Sequence, residues 1–281
     1  MREQAKILIC VHKKYDVRND ELYMPVHAGK ALSKLDLGIQ GDDTGDNISE
    51  KNPYYSELTV HYWAWKNLKK VDYIGLCHYR RYLDLSSIKE KGKIEFNKIF
   101  SKYDIILSKR IIFATSNALH FTELTTREDL IILINVIRIH YPKYEGALID
   151  NLYNTNMTAS YNIFLTSWNH FEDYSSWLFS VLSLVERNIK PSGYNRLKRI
   201  LGYMGEILLP VYCKTNGLKI KYLHIVSNPD MKKVLSIKSV ISNMAKCIVF
   251  KICWGYIRRK KPVVEDSVVV GLKNDGIDIV E

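Results

Sequence analysis

The chain has 281 residues, a hydrophobic fraction of 47% and a formal net charge of +11 at pH 7. This hydrophobic fraction is enough for a sizeable core, and the positive charge favours an anionic partner: nucleic acid, anionic lipid or a phosphorylated substrate. No uninterrupted apolar run is long enough to cross a membrane and residues 1–6 are polar, so we expect neither a transmembrane helix nor a signal peptide.

Cysteine usage in this chain indicates a reducing compartment. No two cysteines have the spacing of zinc ligands, and most of them lie in apolar runs. We therefore expect reduced core thiols in a cytosolic protein, rather than a disulfide framework or a zinc site. The five cysteines are Cys10, Cys77, Cys213, Cys247 and Cys253.

The first predicted strand covers residues 6–11, KILICV. His12, Lys13 and Lys14 follow it directly, so this strand delivers basic side chains to its carboxyl end. Residues 24–35 are then predicted to form a short turn followed by a helix.

A loop rich in glycine and acidic residues follows at residues 38–53, GIQGDDTGDNISEKNP. Asp42, Asp43 and Asp46 lie among its glycines, and carboxylates are good ligands for calcium or magnesium. The spacing lacks the EF-hand pattern and its closing glutamate, so a metal site and a plain loop both stay open. Residues 52–67 are predicted to form one helix with Asn52 as its N-cap.

The chain is organised around residues 71–82, VDYIGLCHYRRY. Its apolar part, residues 73–77, predicts a buried strand of a parallel sheet. The residues after this strand are His78, Tyr79, Arg80, Arg81 and Tyr82. Ligands of open α/β sheets bind at the carboxyl ends of strands, and arginine binds phosphate oxygens bidentately, so a phosphate or diphosphate site is predicted here. The alternative is that both arginines pair with nearby carboxylates while the tyrosines merely pack.

Strands and helices alternate along the rest of the chain. The predicted strands cover residues 103–107, 156–165 with Asn162 inside, and 220–226, and the predicted helices cover 94–102, 126–140 and 171–187. Glu206 is placed in a glycine-flanked turn before an apolar helix. This alternation, without a long repeat, predicts an α/β fold with a largely parallel sheet.

The C-terminal part differs in kind, because residues 231–262 contain nine lysines and arginines and no acidic residue. Helical spacing places five apolar side chains on one face: Ile237, Ile241, Met244, Ile248 and Ile252. Trp254 and Tyr256 add interfacial rings, although Lys251 lies near the apolar side. Residues 232–261 therefore predict an amphipathic helix on an anionic membrane surface. The alternative is a helix packed on the preceding domain with a solvated basic tail; residues 263–281 are predicted to be weakly structured.

Several blocks occur in the same order in a known family: KILICVHKKYD, GDDTGDNISEKNPYYSELTVHYWAWKN, DYIGLCHYRRY, YDIIL, SYNIF and LGYMGEILLPVY. Over about residues 5–228, the chain resembles the bacterial glycosyltransferases encoded with capsular, exopolysaccharide and O-antigen genes, long filed as a domain of unknown function. The resemblance implies a GT-A-like, Rossmann-type sheet and a nucleotide-sugar-dependent transferase. We expect a catalytic domain at residues 1–228 and a basic amphipathic helical extension at residues 229–281.

The resemblance also bears on metal dependence. In GT-A folds a DxD motif commonly follows a middle strand and holds a metal on the diphosphate, but HYRR at residues 78–81 stands in that place here. Arg80 and Arg81 carry the charge to neutralise a diphosphate instead. We therefore expect no obligatory cofactor, with Mn²⁺ or Mg²⁺ held by Asp42, Asp43 or Asp46 as the alternative.

Glycosyl transfer needs stabilisation of the departing nucleoside diphosphate and, for an inverting reaction, a base for the acceptor hydroxyl. The catalytic candidates are Glu206, Asp43 and His78, with Glu57 as a further candidate base. Glu206 has the alternative role of a first-turn glutamate that favours the helix dipole, and His78 that of a diphosphate donor. The predicted donor-binding residues are His12, Lys13, Asp42, Asn47, Ser49, Lys51, Asn52, His78, Tyr79, Arg80, Arg81 and Asn162.

The function predicted from these features is transfer of a sugar from a nucleotide-diphosphate sugar, such as a UDP-hexose of galactose type. The acceptor is a polyprenyl-diphosphate-linked glycan at the inner face of the cytoplasmic membrane, with the enzyme peripheral on that anionic surface. The alternative is a non-enzymatic polyanion- or nucleic-acid-binding protein, suggested by net charge alone. The basic residues lie at strand ends and in one tail, and no nucleic-acid motif occurs, so we expect no nucleic-acid partner.

Overall fold

The computed structural model describes residues 4–90, 93–190, 192–231, 236–257 and 266–277. The chain divides into two compact units. The sheet unit comprises Met1–Lys109, Ala159–Phe179 and Asn216–Val234. The helical unit comprises Arg110–Thr158, Ser180–Thr215 and Leu235–Glu281. The predicted boundary at residue 228, between a catalytic domain and an extension, stays a prediction.

The described residues form thirteen strands and eleven α-helices. The strands are β1 Ala5–Val11, β2 Tyr23–His27, β3 Gln40–Gly41, β4 Tyr73–His78, β5 Tyr82–Leu83, β6 Lys89–Glu90, β7 Lys93–Ile94, β8 Ile105–Ser108, β9 Ile111–Ile112, β10 Met157–Thr158, β11 Phe164–Ser167, β12 Ile220–Leu223 and β13 Ile225–Val226. The α-helices are α1 Asn52–Tyr55, α2 Leu58–Asn67, α3 Phe96–Phe100, α4 Asn117–Leu124, α5 Arg127–His140, α6 Glu145–Tyr153, α7 Trp168–Asn188, α8 Asn195–Lys198, α9 Ile200–Thr215, α10 Ile237–Ile257 and α11 Asp266–Asn274. Short 3₁₀ helices cover Lys30–Leu32, Ser49–Lys51, Leu85–Ile88 and Pro142–Tyr144.

The sheet unit is built on a seven-stranded sheet in the order β12-β8-β11-β4-β1-β2-β3. Neighbouring strands are parallel, except that β11 runs antiparallel to both β4 and β8. This confirms the predicted α/β class with a mostly parallel, Rossmann-type sheet. Cys10 of β1 lies opposite His78 of β4, so the carboxyl ends of these two strands meet at one edge.

The centre of the sheet is apolar and closely packed. Ile9, Ile74 and Ile106, on β1, β4 and β8, are fully buried, and each such burial contributes roughly 1.5–3 kcal/mol to folding. Gly75 of β4 lies against β11: a methyl group in its place would be 2.8 Å from the carbonyl oxygen of Phe164. Glycine at this position therefore permits the close approach of the antiparallel strand.

The helix predicted within residues 24–35 is wrong. Tyr23–His27 form β2, which pairs in parallel with β1, and the 3₁₀ helix Lys30–Leu32 follows it. Tyr23 and Val26 are buried within the unit. Gly29, between the two elements, has a left-handed backbone with φ of 67°, which interrupts any continuous helix. Burial in the sheet and this one backbone turn therefore decide the local structure.

The single helix predicted at residues 52–67 is divided into α1 and α2. Ser56 between them has φ of 53° and ψ of −130°, a conformation that the interior of a helix does not contain. Asn52 is the first residue of α1 rather than its N-cap. Its side-chain amide donates to the carbonyl oxygen of Ser56 at 2.8 Å and to Thr59 Oγ1 at 3.0 Å, so Asn52 stabilises the break.

The strand predicted at residues 156–165 is divided as well. β10 and β11 are its two ends, and Tyr161 and Asn162 between them have left-handed backbones, with φ of 74° and 51°. Asn162 therefore precedes a strand instead of lying inside one. The predicted strand at 220–226 is likewise divided, into β12 and β13. The other predicted elements are confirmed with shifted ends: β1, β4, α3, β8, α5 and α7.

The helical unit corrects two further predictions. Glu206 lies inside α9, because burial of this apolar helix outweighs the cost of roughly 1 kcal/mol that Gly202 and Gly205 each add. The chain end predicted to be weakly structured forms α11, whose Leu272 is 3% exposed and which packs against α5. Residues 263–265 and 278–281 lie outside the described residues.

The five cysteines are free thiols, but, contrary to the prediction, they do not all lie in a core. Cys10, Cys77 and Cys213 are buried free thiols, and burial raises the pKa of the Cys10 and Cys77 thiols above its ordinary value. Cys247 and Cys253 lie on α10, where Cys253 is exposed. Cys253 is therefore a surface thiol, whereas Cys247 lies on a half-buried side of the helix.

Candidate functional site

Basic side chains gather where β1 and β4 end. His12 and Lys13 follow β1 and are exposed, and Arg80 and Arg81 follow His78, the last residue of β4. The two strands are parallel neighbours, so these groups lie at the same edge of the sheet. This edge is the usual ligand side of an open α/β sheet.

Tyr79 is the aromatic centre of this edge, with its side chain buried. The rings of His12 and Tyr15 meet the Tyr79 ring edge-on, at centroid distances of 5.2 and 5.0 Å. Lys13 Nζ lies 5.7 Å and the Arg80 guanidinium carbon 4.9 Å from the centroid of the same ring. Each such cation–π contact contributes about 0.5–1 kcal/mol at an exposed site. Tyr79 therefore positions cations from both strand ends.

Arg81 is positioned by a second ring, that of Tyr161. Its guanidinium carbon lies 4.1 Å from the Tyr161 centroid. His78 Nε2 donates to the Tyr161 carbonyl oxygen at 2.8 Å, and backbone bonds of 3.1 and 2.9 Å between His78 and Arg81 close the turn. No carboxylate of the described residues forms an ion pair with Arg80 or Arg81. The guanidiniums thus keep donors for an external anion, which weighs against the alternative of internal ion pairs.

Glu57 and Asn162 form a buried pair beside His78, which we call the clasp. Asn162 Nδ2 donates to Glu57 Oε1 at 2.7 Å, and His78 Nε2 lies 4.0 Å from the same oxygen. Among the described non-glycine residues, those with positive φ are Ser56, Tyr161 and Asn162; Asn162 belongs to the clasp, and the other two directly adjoin it. Such backbone strain costs roughly 1–3 kcal/mol per residue and persists only where the surroundings hold it. The clasp therefore holds the turn that carries Tyr161 to Arg81.

Asp42 anchors the loop at residues 38–53. It is fully buried, and its carboxylate accepts hydrogen bonds from the backbone N–H of Gly29 at 2.8 Å and of Lys30 at 3.0 Å. The hydroxyls of Ser49 and Thr59 donate to it at 2.5 Å each. Four donors match the four lone-pair sites of a carboxylate. This geometry favours a loop-holding role for Asp42 and Ser49.

Asp43 and Asp46 do not join Asp42 in a cluster of ligands. Both are exposed, and Asp46 is tied to α2: its carboxylate accepts from the Tyr62 hydroxyl at 3.1 Å, and its backbone bonds to the Asn67 side chain at 3.0 and 2.7 Å. Within the described part of the chain, no three His, Cys, Asp or Glu side chains are arranged to hold a metal ion. The donor set proposed for Mn²⁺ or Mg²⁺ therefore does not fit a metal site.

The other predicted donor-binding residues of this loop contact either the loop itself or the residues that follow it directly. Asn47 Nδ2 donates to the Gly45 carbonyl oxygen at 2.9 Å, and its Oδ1 accepts from the Ser49 N–H at 3.1 Å. Lys51 is exposed, with Nζ 6.0 Å from the centroid of the Tyr55 ring. Donor contacts by Asn47, Lys51 and Asn52 stay predictions.

A cleft of about 370 Å³ opens beside the end of β1. This is within the volume range of small-molecule sites. Two lysines, one carboxylate, one phenol ring and several aliphatic side chains face it, which is a mixture that suits a nucleotide. The lining residues are Val11, Lys13, Lys14, Tyr15, Val17, Asp36, Leu37, Gly38 and Ile39.

Comparison with known proteins identifies the family. The model of a domain of unknown function, DUF4422, matches residues 6–217. The chain belongs to the DUF4422 family. A solved structure titled as the apo form of the bifunctional glycosyltransferase WbbM matches this DUF4422 chain at 32% identity with a TM-score of 0.70, covering 83% of this chain and 47% of that one. The DUF4422 chain thus spans about half of the WbbM chain. Among curated proteins, no match was found.

The structure of this DUF4422 chain brings together most of the predicted residues at the strand ends. Those in the sheet unit around Tyr79 and Tyr161 are His12, Lys13, His78, Arg80, Arg81 and Asn162. Glu206 lies in the helical unit, half-buried within α9, and its catalytic role stays a prediction. Sequence reasoning missed Tyr161 and Asp36. No local signal in the sequence marks Tyr161, whereas Asp36 could have been found as the one carboxylate of the segment before Gly38.

Proposed function

We propose that this DUF4422 protein is a glycosyltransferase that moves a hexose from a nucleotide-diphosphate sugar to a lipid-linked glycan. The observation that supports the proposal most is the 32% identity to a structure titled as a bifunctional glycosyltransferase, over 83% of the chain. The proposed setting is bacterial capsule, exopolysaccharide or O-antigen synthesis, on a polyprenyl-diphosphate acceptor. UDP-hexoses, including UDP-galactose, are the first donor class to test.

The cleft beside β1 is the proposed nucleoside site. Leu37 and Ile39 supply aliphatic surface for a base, and Asp36 supplies a carboxylate that accepts hydrogen bonds from ribose hydroxyls. Lys13 and Lys14 face the same cleft. Because Lys13 also approaches the Tyr79 ring, a nucleoside held here would direct its phosphates toward Arg80.

The proposed diphosphate site is the edge of the sheet that carries His12, Lys13, Arg80 and Arg81, which we call the cationic edge. Negative charge develops on the nucleoside diphosphate as the glycosidic bond breaks, and groups oriented in advance stabilise it without reorganisation. The rings of Tyr79 and Tyr161 hold Arg80 and Arg81 by cation–π contacts, and the N–H groups of the guanidiniums are the donors for the diphosphate. In this proposal the two arginines supply the charge that a metal supplies in DxD enzymes.

The acceptor hydroxyl loses its proton to a side chain if the reaction inverts configuration. His78 donates from Nε2 to the Tyr161 carbonyl oxygen, so Nδ1 is the acceptor nitrogen of its neutral ring. His78 is therefore our first candidate for the base, with Asp43 and Glu206 as further candidates. Glu57 is buried in the clasp, and we assign it a positioning role.

The decisive experiment is a donor panel with the full-length protein. We expect hydrolysis of at least one nucleotide sugar in the absence of acceptor, and stabilisation of the protein in a thermal-shift assay by the matching nucleoside diphosphate. Oligonucleotides serve as the competing ligand in the same assay. If only oligonucleotides stabilise the protein and no nucleotide sugar is hydrolysed, the transferase proposal is wrong. The protein would then be a polyanion-binding protein.

We expect activity to survive removal of divalent cations. The physical reason is that Asp42 is saturated by four donors, while Asp43 and Asp46 do not converge with it. The measurement is donor hydrolysis before and after dialysis against EDTA, with Mn²⁺ and Mg²⁺ added back. Complete loss of activity in EDTA with rescue by Mn²⁺ would show that the exposed carboxylates recruit a metal when the donor binds.

A further inference from the structure

Helix α10 turns its apolar stripe outward. The stripe consists of Ile237, Ile241, Met244, Ile248 and Ile252, and each of these side chains is more than half exposed, from 57% for Ile248 to 79% for Ile237. A helix of a soluble domain ordinarily buries such a stripe against its own core. Contiguous exposed apolar surface of this kind marks an interaction site.

The opposite side of α10 is the one that the protein covers. Asn243, Cys247, Phe250 and Trp254 are half-buried and recur at helical spacing, and α10 contacts β9 of the same unit. Phe250 and Trp254 stack with their centroids 6.0 Å apart on this side. Trp254, one of the two rings predicted to lie at a membrane interface, is therefore partly covered by the protein, and the side chain of Tyr256, the other ring, lies outside the described part of the chain. The helix is both packed on one side and apolar toward solvent.

The charged residues beside the stripe indicate the kind of surface that it fits. Lys238 and Lys251 lie on the two flanks of the stripe by helical spacing, and both are exposed. Residues 231–262 carry nine lysines and arginines and no acidic residue. Lysines beside an apolar stripe reach the headgroup level of a bilayer while the stripe enters its surface. Among the described residues, no helix is both long and apolar enough to span a membrane.

We infer that α10 docks flat on a bilayer surface that contains anionic phospholipid. This inference rests on the exposed stripe and its flanking cations, and it holds whether or not the protein transfers sugars. A second copy of the chain is the competing occupant. It is disfavoured because a stripe-to-stripe contact would bring two sets of cations together without acidic partners in this segment. An anionic surface satisfies both the apolar stripe and the lysines.

The test is cosedimentation of the full-length protein with vesicles of phosphatidylcholine, alone or mixed with phosphatidylglycerol. We expect binding to the mixed vesicles and release by high salt, because the attraction of each lysine is screened. The double variant Ile241→Ser/Ile248→Ser should lose about tenfold or more in vesicle affinity. The matched control is Leu119→Ser/Ile139→Ser, which removes two exposed apolar side chains of other helices and should bind as the parent does.

A charge variant separates the two contributions to binding. Lys238→Glu/Lys251→Glu should weaken binding to the anionic vesicles about tenfold or more and leave the unfolding temperature unchanged, since both lysines are exposed. Equal binding of the parent protein to both vesicle types would overturn the anionic part of the inference. Concentration-dependent dimers that Ile241→Ser/Ile248→Ser abolishes, without vesicle binding by the parent, would assign the stripe to a second copy instead.

Discussion

Replacing Arg81 with alanine should weaken the binding of the donor's nucleoside diphosphate by about ten- to a hundredfold. This corresponds to roughly 1.5–3 kcal/mol, the contribution of hydrogen bonds to a charged group. The guanidinium of Arg81 lies over the Tyr161 ring, and His78 binds the backbone of Tyr161. The side chain of Arg81 is therefore already held in place before the diphosphate binds. Arg80→Ala, which removes the guanidinium over Tyr79, should have an effect of the same order.

The measurement is isothermal titration calorimetry with UDP and GDP on the folded variants. Arg138→Ala is the matched control, because Arg138 is an exposed arginine of the helical unit that pairs with Glu145. Arg81→Lys distinguishes charge from geometry: lysine keeps the charge but not the planar fork, so we expect only partial recovery. Parental affinity for nucleoside diphosphates in both Arg80→Ala and Arg81→Ala would refute the diphosphate site.

Replacing Asp42 with alanine should lower the free energy of unfolding by about 3 kcal/mol or more. The substitution leaves two backbone N–H groups, of Gly29 and Lys30, and two hydroxyls, of Ser49 and Thr59, without their common acceptor. Each unsatisfied buried polar group costs roughly 1–3 kcal/mol, and local relaxation recovers part of the sum. The loop at residues 38–53 should lose its fixed conformation as a result.

Urea denaturation of the parent and variant measures this change. Asp43→Ala is the control, since Asp43 is the exposed neighbour of Asp42, and its unfolding free energy should stay within about 0.5 kcal/mol of the parent value. A fully stable Asp42→Ala protein that loses Mn²⁺-dependent activity would instead make Asp42 a metal ligand. The pair of variants thus separates loop support from metal binding.

The cationic edge was predictable from the sequence because strands and their ends are local features. Apolar runs as short as residues 73–77 have few alternatives to a buried strand, and the residues that follow must emerge at a sheet edge. Cations after two parallel neighbours therefore meet, as Lys13 and Arg80 do around Tyr79. The apolar stripe of α10 was predictable for the same reason, since helical spacing alone places its members on one face.

The buried supports of the site depended on the tertiary structure. The clasp joins Glu57 to Asn162 across 105 residues of chain, and no local pattern connects them. The left-handed backbones of Tyr161 and Asn162 are tolerated only because such contacts hold them, whereas the local apolar pattern favoured a continuous strand. Asp42 differs from Asp43 by one position, but one carboxylate is enclosed by four donors and the other is exposed.

The sequence by itself thus determined the α/β class, the family, the cations at the strand ends and the periodicity of α10. The tertiary structure alone decided which acidic residues are enclosed, which turns are left-handed and which side of α10 the protein covers. The reason is physical: periodicity and composition act over a few neighbouring residues. Burial of a charge or retention of a strained backbone instead depends on the partners that folding brings from distant parts of the chain.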